Sequence, residues 1–174
     1  MKTTISQSFE ISEPIHRVWE HLTTAEKVIP CVPGASLVET IDENNFKGAV
    51  TLKFGPVKAS YAGEITFLEK DIENYKMVMS GKGVDSKGKG GADMVMNGML
   101  TENGDGIVKV DCTMEVAVSG MLAQFGSRLI NDVSSTVFDQ FVDNFKKSLA
   151  GEEVDNSMTA GKMVGSMVKG IFGK

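Results

Sequence analysis

The sequence predicts an α+β domain in which a curved antiparallel sheet of seven strands surrounds a long C-terminal helix. Apolar and polar residues alternate at the N-terminus and again from residue 35 to residue 119, which is the period of half-buried strands. Between these regions, residues 13–29 show helical spacing. From residue 121 to residue 150 apolar residues recur every three or four positions, on one stripe of a helix about 43 Å long.

The first strand and two short helices come from the N-terminal region. Ile5 to Ile11 alternate in polarity and predict a strand. Ser12 is the expected N-cap of a helix over 13–23, in which Pro14 fits an early position. Thr24 is expected to cap a second helix over 25–29, and Pro30 to end it.

Six further strands are separated by short segments rich in Gly, Asn, Asp and Pro. Their expected ranges are 35–42, 45–54, 57–70, 74–82, 89–101 and 106–118. Connections this short join antiparallel neighbours. One face is apolar and the other polar, as expected of a sheet covered on one side. The helix over 121–150 is expected to cover the apolar face.

The apolar face is unusual in its methionines, which are Met77, Met79, Met94, Met96 and Met114. Methionine is unbranched and polarisable and adapts to irregular ligands. We therefore expect an apolar pocket of several hundred Å³ between sheet and helix. The alternative is that the methionines simply fill a core. The expected wall consists of Phe54, Ala59, Tyr61, Met77, Met79, Met94, Met96, Met114, Phe125, Leu129, Val133 and Val137.

Catalytic and metal-binding patterns are not apparent in the sequence. His16 and His21 are five residues apart on a helix and point about 140° apart, so they do not share a metal ion. Cys31 precedes a Val-Pro-Gly turn, where a structural role is favoured over a reactive thiol. The glycines between 81 and 91 lack the strand-loop-helix order of a phosphate site. No acid-base residue is apparent on the inward faces, which argues against an enzyme using the cavity.

Composition limits the function classes further. A formal charge of −5 argues against nucleic acid as a partner. Two distant cysteines predict no disulfide framework, and no apolar run is long enough to span a bilayer. The N-terminus opens on a strand pattern rather than a signal peptide. We expect a cytoplasmic protein that associates peripherally with the inner face of the cell membrane, on the basis of its C-terminal segment.

That segment, residues 157–174, carries a charge of +3, whereas the remainder carries −8. It predicts an amphipathic helix, although three internal glycines each cost about 1 kcal/mol relative to alanine. It should therefore fold on a surface, with a membrane favoured over a partner groove or its own domain. The expected membrane contacts are Lys162, Met163, Val164, Met167, Val168, Lys169, Ile171 and Phe172. The predicted divisions are a domain over 1–150, a linker over 151–156 and a tail over 157–174.

Three motifs carry a family resemblance. They are Cys-Val-Pro-Gly-Ala at 31–35, Gly-Pro-Val-Lys at 55–58 followed by Tyr-Ala-Gly-Glu at 61–64, and Gly-Met-Leu-Ala-Gln-Phe-Gly-Ser-Arg-Leu-Ile at 120–130. In this order, over about residues 1–150, the chain resembles the CoxG family of carbon monoxide dehydrogenase proteins. The resemblance implies the helix-grip fold of the START and Bet v 1 group.

The resemblance also implies a function. It implies a non-enzymatic accessory protein of a molybdenum hydroxylase-type CO dehydrogenase, which helps recruit that enzyme to the membrane. It further implies a bound isoprenoid quinone, menaquinone or ubiquinone, or a similar lipid, and no covalent cofactor. Two alternatives remain open, namely a polyketide cyclase- or hydrolase-like enzyme that uses the same cavity, and a docking adaptor with a filled core.

Overall fold

The computed structural model describes residues 1–54 and 57–154, and the predicted tail lies outside them. The strands are β1 (Lys2–Ile11), β2 (Ala35–Thr40), β3 (Asn45–Phe54), β4 (Val57–Asp71), β5 (Lys76–Asp85), β6 (Gly91–Glu102) and β7 (Val108–Val118). The helices are α1 (Ile15–Thr23), α2 (Ala25–Val28) and α3 (Gly126–Leu149), with 3₁₀ turns at Ile29–Cys31 and Leu122–Phe125. This is the predicted helix-grip fold.

The strands form one antiparallel sheet in the order β1-β7-β6-β5-β4-β3-β2. Strands β2 to β7 pair in chain order, as short connections require, and β1 pairs with β7. Irregular register at Leu37/Glu39 and Phe67/Glu69 marks two bulges, which increase local twist and bend. At Gly63 a Cβ would collide with the backbone of Lys82 and Gly83, so only glycine permits this close approach.

Helix α3 packs on the concave face and is fixed by polar contacts at several points. The Thr3 hydroxyl donates to Asn131 Oδ1 at 2.9 Å, which links α3 to β1. The Arg17 guanidinium donates to the Leu149 carbonyl at 2.8 Å, which links α3 to α1. Phe145 is fully buried, and its ring lies 6.0 Å from the ring of Phe9. These contacts set the position of α3 over the sheet.

The predicted single helix from Met121 to Ala150 is wrong at its start. Residues 122–125 form a 3₁₀ turn, and α3 begins at Gly126, whose φ of 81° is accessible to glycine at little cost. Helix α3 therefore has 24 residues, or about 36 Å. At the other end, Gly151 has φ 77° and donates its N–H to the Ser148 carbonyl, which is a typical helix stop.

Three predictions at the short helices also need correction. Ser12 does not cap α1, because Pro14 occupies the N-cap position and no side chain caps the helix. Thr24 does occupy the N-cap of α2, but its hydroxyl donates back to the Glu20 carbonyl instead. Pro30 does not end the helical segment, since the chain continues as a 3₁₀ turn through Cys31, in which proline fits the first turn.

Candidate ligand-binding site

The strand register brings four methionines together on the concave face. Met79 of β5 pairs with Met96 of β6, and Met96 pairs with Met114 of β7. Met94 lies two residues from Met96 on the same face of β6, opposite Gly81. We call Met79, Met94, Met96 and Met114 the methionine belt. All four are half-buried although they face α3.

The apolar interior beneath α3 is divided into two clusters, which we call the Phe145 cluster and the Tyr61 cluster. The Phe145 cluster joins α1, α2 and the C-terminal half of α3 to the sheet. The buried members of the Tyr61 cluster are Ala59, Tyr61, Val118, Leu122, Ile130 and Val133. Met79 and Met96 pack at the border of the Phe145 cluster, whereas Met94 and Met114 belong to neither cluster. Half of the belt therefore packs against the Phe145 cluster, and the other half lies outside both clusters.

The other predicted wall residues occupy different environments. Ala59, Tyr61 and Val133 are buried in the Tyr61 cluster, and Leu129 and Val137 pack against it. These five predicted wall residues therefore share one cluster, which contains no methionine of the belt.

Two members of the predicted wall are set apart from the belt. Met77 is only 3% exposed and belongs to the Phe145 cluster, where a Cβ on Gly98 would lie 3.1 Å from its Cγ. Phe125 was expected on the stripe of the long helix, but this is wrong, because it lies in the 3₁₀ turn and is 42% exposed. The side chain of Phe54 lies outside the described part of the structure.

Among the surface depressions formed by the described residues, two have volumes of about 310 and 290 Å³. The first lies at the end of β6 and β7, beside Met1 and Ser119. The second lies on the outer face of the sheet, beside Val78 and Asn97. Neither lies between the methionine belt and α3, so the expected pocket there remains a prediction.

Gln140 is a polar residue of α3 that our sequence interpretation missed. Its side-chain nitrogen and oxygen are both buried, and neither has a hydrogen-bond partner in the described structure. The amide of Asn144, one turn further on, is already used and donates to the Cys31 carbonyl at 3.0 Å. The sequence did offer a signal, because Gln140 falls beside Val137 and Asn144 on the inward side of the helix.

Asp85 is a second missed residue, and it corrects the expectation that the inward faces lack an acid. It lies opposite Tyr61 in the register and is 6% exposed. Its Oδ1 accepts the Lys87 N–H at 2.8 Å. Burial, and to a lesser degree the charge of Asp85, raises the pKa of Tyr61, which favours a neutral phenol. Asp85 was missed because its sequence neighbours read as a turn.

Both cysteines and His21 occupy structural positions. Cys31 is 1% exposed, its thiol donates to the Lys27 carbonyl at 3.4 Å, and burial raises its pKa. Burial also raises the pKa of Cys112 to about 11. His21 Nε2 lies 2.7 Å from Ser148 Oγ, and desolvation lowers the pKa of its ring. Over residues 1–54 and 57–154, no His, Cys, Asp and Glu side chains group as a metal site would require.

Comparison with known proteins identifies the class of protein that has this fold and interior. The model of the carbon monoxide dehydrogenase CoxG family matches residues 8–150. The chain therefore belongs to the CoxG family. The family assignment is consistent with the helix-grip fold described above. Comparison with curated proteins found no match.

Solved structures support the fold. A conserved protein from Geobacillus kaustophilus aligns with a TM-score of 0.77 at 23% identity, covering 86% of this chain and 96% of the other. Truncated norcoclaurine synthase from Thalictrum flavum aligns with a TM-score of 0.61 at 13% identity, covering 88% and 96%. The Zhui aromatase/cyclase from Streptomyces sp. R1128 aligns with a TM-score of 0.54 at 9% identity, covering 87% and 93%. At these identities the likeness concerns the fold alone.

Among the described residues, no helix is both long enough and apolar enough to cross a bilayer.

Proposed function

We propose that this protein carries an isoprenoid quinone, menaquinone or ubiquinone, or a similar lipid between the sheet and α3. In this role it links a molybdenum hydroxylase-type CO dehydrogenase to the membrane. The observation that supports the proposal is the methionine belt, whose four side chains are half-buried on the inward face of the sheet and are absent from both sets of buried core residues. The family name supports association with a CO dehydrogenase.

Methionine chemistry fits such a cargo. In a filled core we would expect all inward methionines to resemble Met77, which is 3% exposed. The belt instead presents four flexible, polarisable side chains that can follow the shape of a branched chain. An isoprenoid chain that loses about 300 Å² of apolar surface to the site gains about 7 kcal/mol by transfer from water. That gain is large enough to offset much of the cost of association.

The tail, residues 157–174, supplies the proposed membrane contact. It lies outside the described residues, so its role is argued from sequence. Each of its three lysines adds about 1 kcal/mol near an anionic surface, while the glycines at 161, 165 and 170 together cost about 3 kcal/mol of helix propensity. We expect weak, reversible attachment, which suits a shuttle at the inner face of the cell membrane.

The cargo proposal is tested by titrating an apolar fluorescent dye into the protein and displacing it with an isoprenoid quinone. The quinone should displace the dye from the wild-type protein, and Met114→Trp should abolish uptake of both. If the quinone fails to compete, or if Met114→Trp binds it as well as the wild type, the proposed site is wrong.

The membrane proposal is tested separately with anionic liposomes. Deleting 157–174 should release the protein while residues 1–150 stay folded, and high salt should weaken attachment of the intact chain. Replacing the tail lysines by glutamate should have the same effect as salt. A truncated protein that still pellets with liposomes would assign attachment to another surface.

An enzyme resembling the polyketide cyclases is the second candidate, and the buried Tyr61–Asp85 pair is the observation that favours it. Against this candidate, one carboxylate oxygen of Asp85 already accepts the Lys87 N–H in the turn that follows β5. Mass spectrometry of ligand extracted after incubation separates the two functions. A carrier returns the ligand with its mass unchanged, whereas turnover that Asp85→Asn abolishes would establish the enzyme. A docking adaptor with a filled core would bind no ligand.

A further inference from the structure

We infer that Gln140 holds the polar head of the ligand, and that its amide lets one site accept that head in both its oxidised and its reduced form. The inference rests on the proposed carrier function and deepens it. It narrows the ligand to molecules with an oxygen-bearing head that interconverts between carbonyl and hydroxyl. Gln140 takes no part in electron transfer, which belongs to the partner enzyme.

The position of Gln140 along α3 supports this role. Leu129, Ile130, Val133 and Val137 pack in or against the Tyr61 cluster, whereas α3 residues from 138 onwards pack in or against the Phe145 cluster. Gln140 therefore lies near the point along α3 where contacts pass from one cluster to the other, between Val137 and Phe141. At 100° per residue, Gln140 projects within about 20° of Val133 and about 40° of Asn144.

The lack of a partner is the second observation. Within the described chain, Gln140 alone has buried side-chain polar atoms without a hydrogen bond. A buried amide that has lost water without gaining a partner is unfavourable, so native proteins rarely leave one unexplained. The neighbouring Asn144 has its partner in the Cys31 carbonyl, and therefore Gln140 is the amide left to bind a ligand.

Amide chemistry suits a head group that changes its hydrogen-bonding character. The Gln140 side chain offers donors on Nε2 and an acceptor on Oε1. A quinone carbonyl accepts from Nε2–H. The hydroxyl of the corresponding quinol donates to Oε1, which rotation about the last side-chain bond brings into place. A lysine would only donate and an ionised carboxylate would only accept, and each would therefore favour one form. A carrier that loads one form and returns the other needs comparable affinity for both.

The experiment compares three probes that share one isoprenoid chain. They are a naphthoquinone, the same molecule kept as the quinol by dithionite, and the naphthalene that lacks both oxygens. Dissociation constants are measured for the full chain, for Gln140→Met and Gln140→Leu, and for the control Gln124→Met, which removes an exposed amide beside α3. Two apolar replacements are used at position 140, so that an effect seen in both variants is not due to poor packing of one of the new side chains.

The wild type and Gln124→Met should bind the quinone and the quinol within about threefold of each other. Both forms should bind about three- to tenfold more tightly than the hydrocarbon, as one net hydrogen bond provides. Gln140→Met and Gln140→Leu should bind all three probes alike. Without ligand, Gln140→Met should also unfold about 2–4 °C higher, because it removes an unpaired buried amide.

Different failures have different meanings. If the position 140 variants discriminate between quinone and hydrocarbon as the wild type does, Gln140 is not the head-group ligand, while the apolar carrier function stands. If the wild type favours the quinone over the quinol by tenfold or more, the dual role of the amide is refuted. If the wild type binds none of the three probes, the proposed function itself fails, and this inference fails with it.

Discussion

Tryptophan at position 114 should occupy the space between the sheet and α3 at little cost in stability. Met114 is half-buried and belongs to neither described cluster, and the proposed cavity beside it would give a larger side chain room. Met77 provides the matched control in the same sheet, because it is 3% exposed and close to Gly98. Overpacking a filled site costs about 1–3 kcal/mol. We therefore expect Met77→Trp to lose that amount and Met114→Trp to lose less than about 1 kcal/mol.

The free energy of unfolding is measured by urea denaturation, followed by circular dichroism because both variants add a tryptophan. Quinone uptake is measured on the folded proteins. Met114→Trp should be nearly as stable as the wild type and unable to bind, whereas folded Met77→Trp should still bind. Equal destabilisation by the two substitutions, with binding retained in folded Met114→Trp, would show that the belt is ordinary core and refute the reasoning.

Three further predictions concern packing and protonation. Phe145→Ala should cost about 3–5 kcal/mol in urea unfolding, whereas Phe125→Ala at an exposed site should change stability by less than about 0.5 kcal/mol. Cys31 should react with iodoacetamide far more slowly in the native protein than in urea, because burial both shields its thiol and raises its pKa. The pKa of His21 is lowered below 6.5 by burial, so the unfolded chain binds the proton more readily. The stabilisation by neutral His21 should therefore be complete above pH 6.5 and decline as the pH falls below it. Urea titrations at several pH values measure the free energy of unfolding, and His21→Gln should lose less of it at low pH than the wild type does.

The alternation of polarity was sufficient to predict the sheet, because each strand has one apolar, inward face and one polar, outward face. Short turns then determined antiparallel neighbours. Residues 121–126 could not be predicted in the same way. Phe125 fits the apolar rhythm of the helix, but the backbone at Gly126 takes a φ of 81° and starts α3 there. Periodicity indicates which side chains share a face, and it does not report a positive φ at a single residue such as Gly126.

The candidate site could be predicted only in part. The inward direction of the methionines follows from strand alternation, and the register confirms it. Which methionine belongs to the core depends on tertiary packing, since Met77 is buried in the Phe145 cluster whereas Met114 is half-buried and belongs to neither cluster. Gln140 was missed for a related reason, since its burial arises from tertiary packing and glutamine is usually exposed. Asp85 was missed because the residues that follow it indicate a turn.

The central claim is that the belt and α3 enclose a quinone or similar lipid, and native mass spectrometry tests it most directly. Wild-type protein and Met114→Trp are purified in parallel from the natural host, and the bound molecule is identified after organic extraction. The account predicts an isoprenoid adduct on the wild type that is absent from Met114→Trp. Wild-type protein without any lipid adduct, or the same adduct on both proteins, would contradict it.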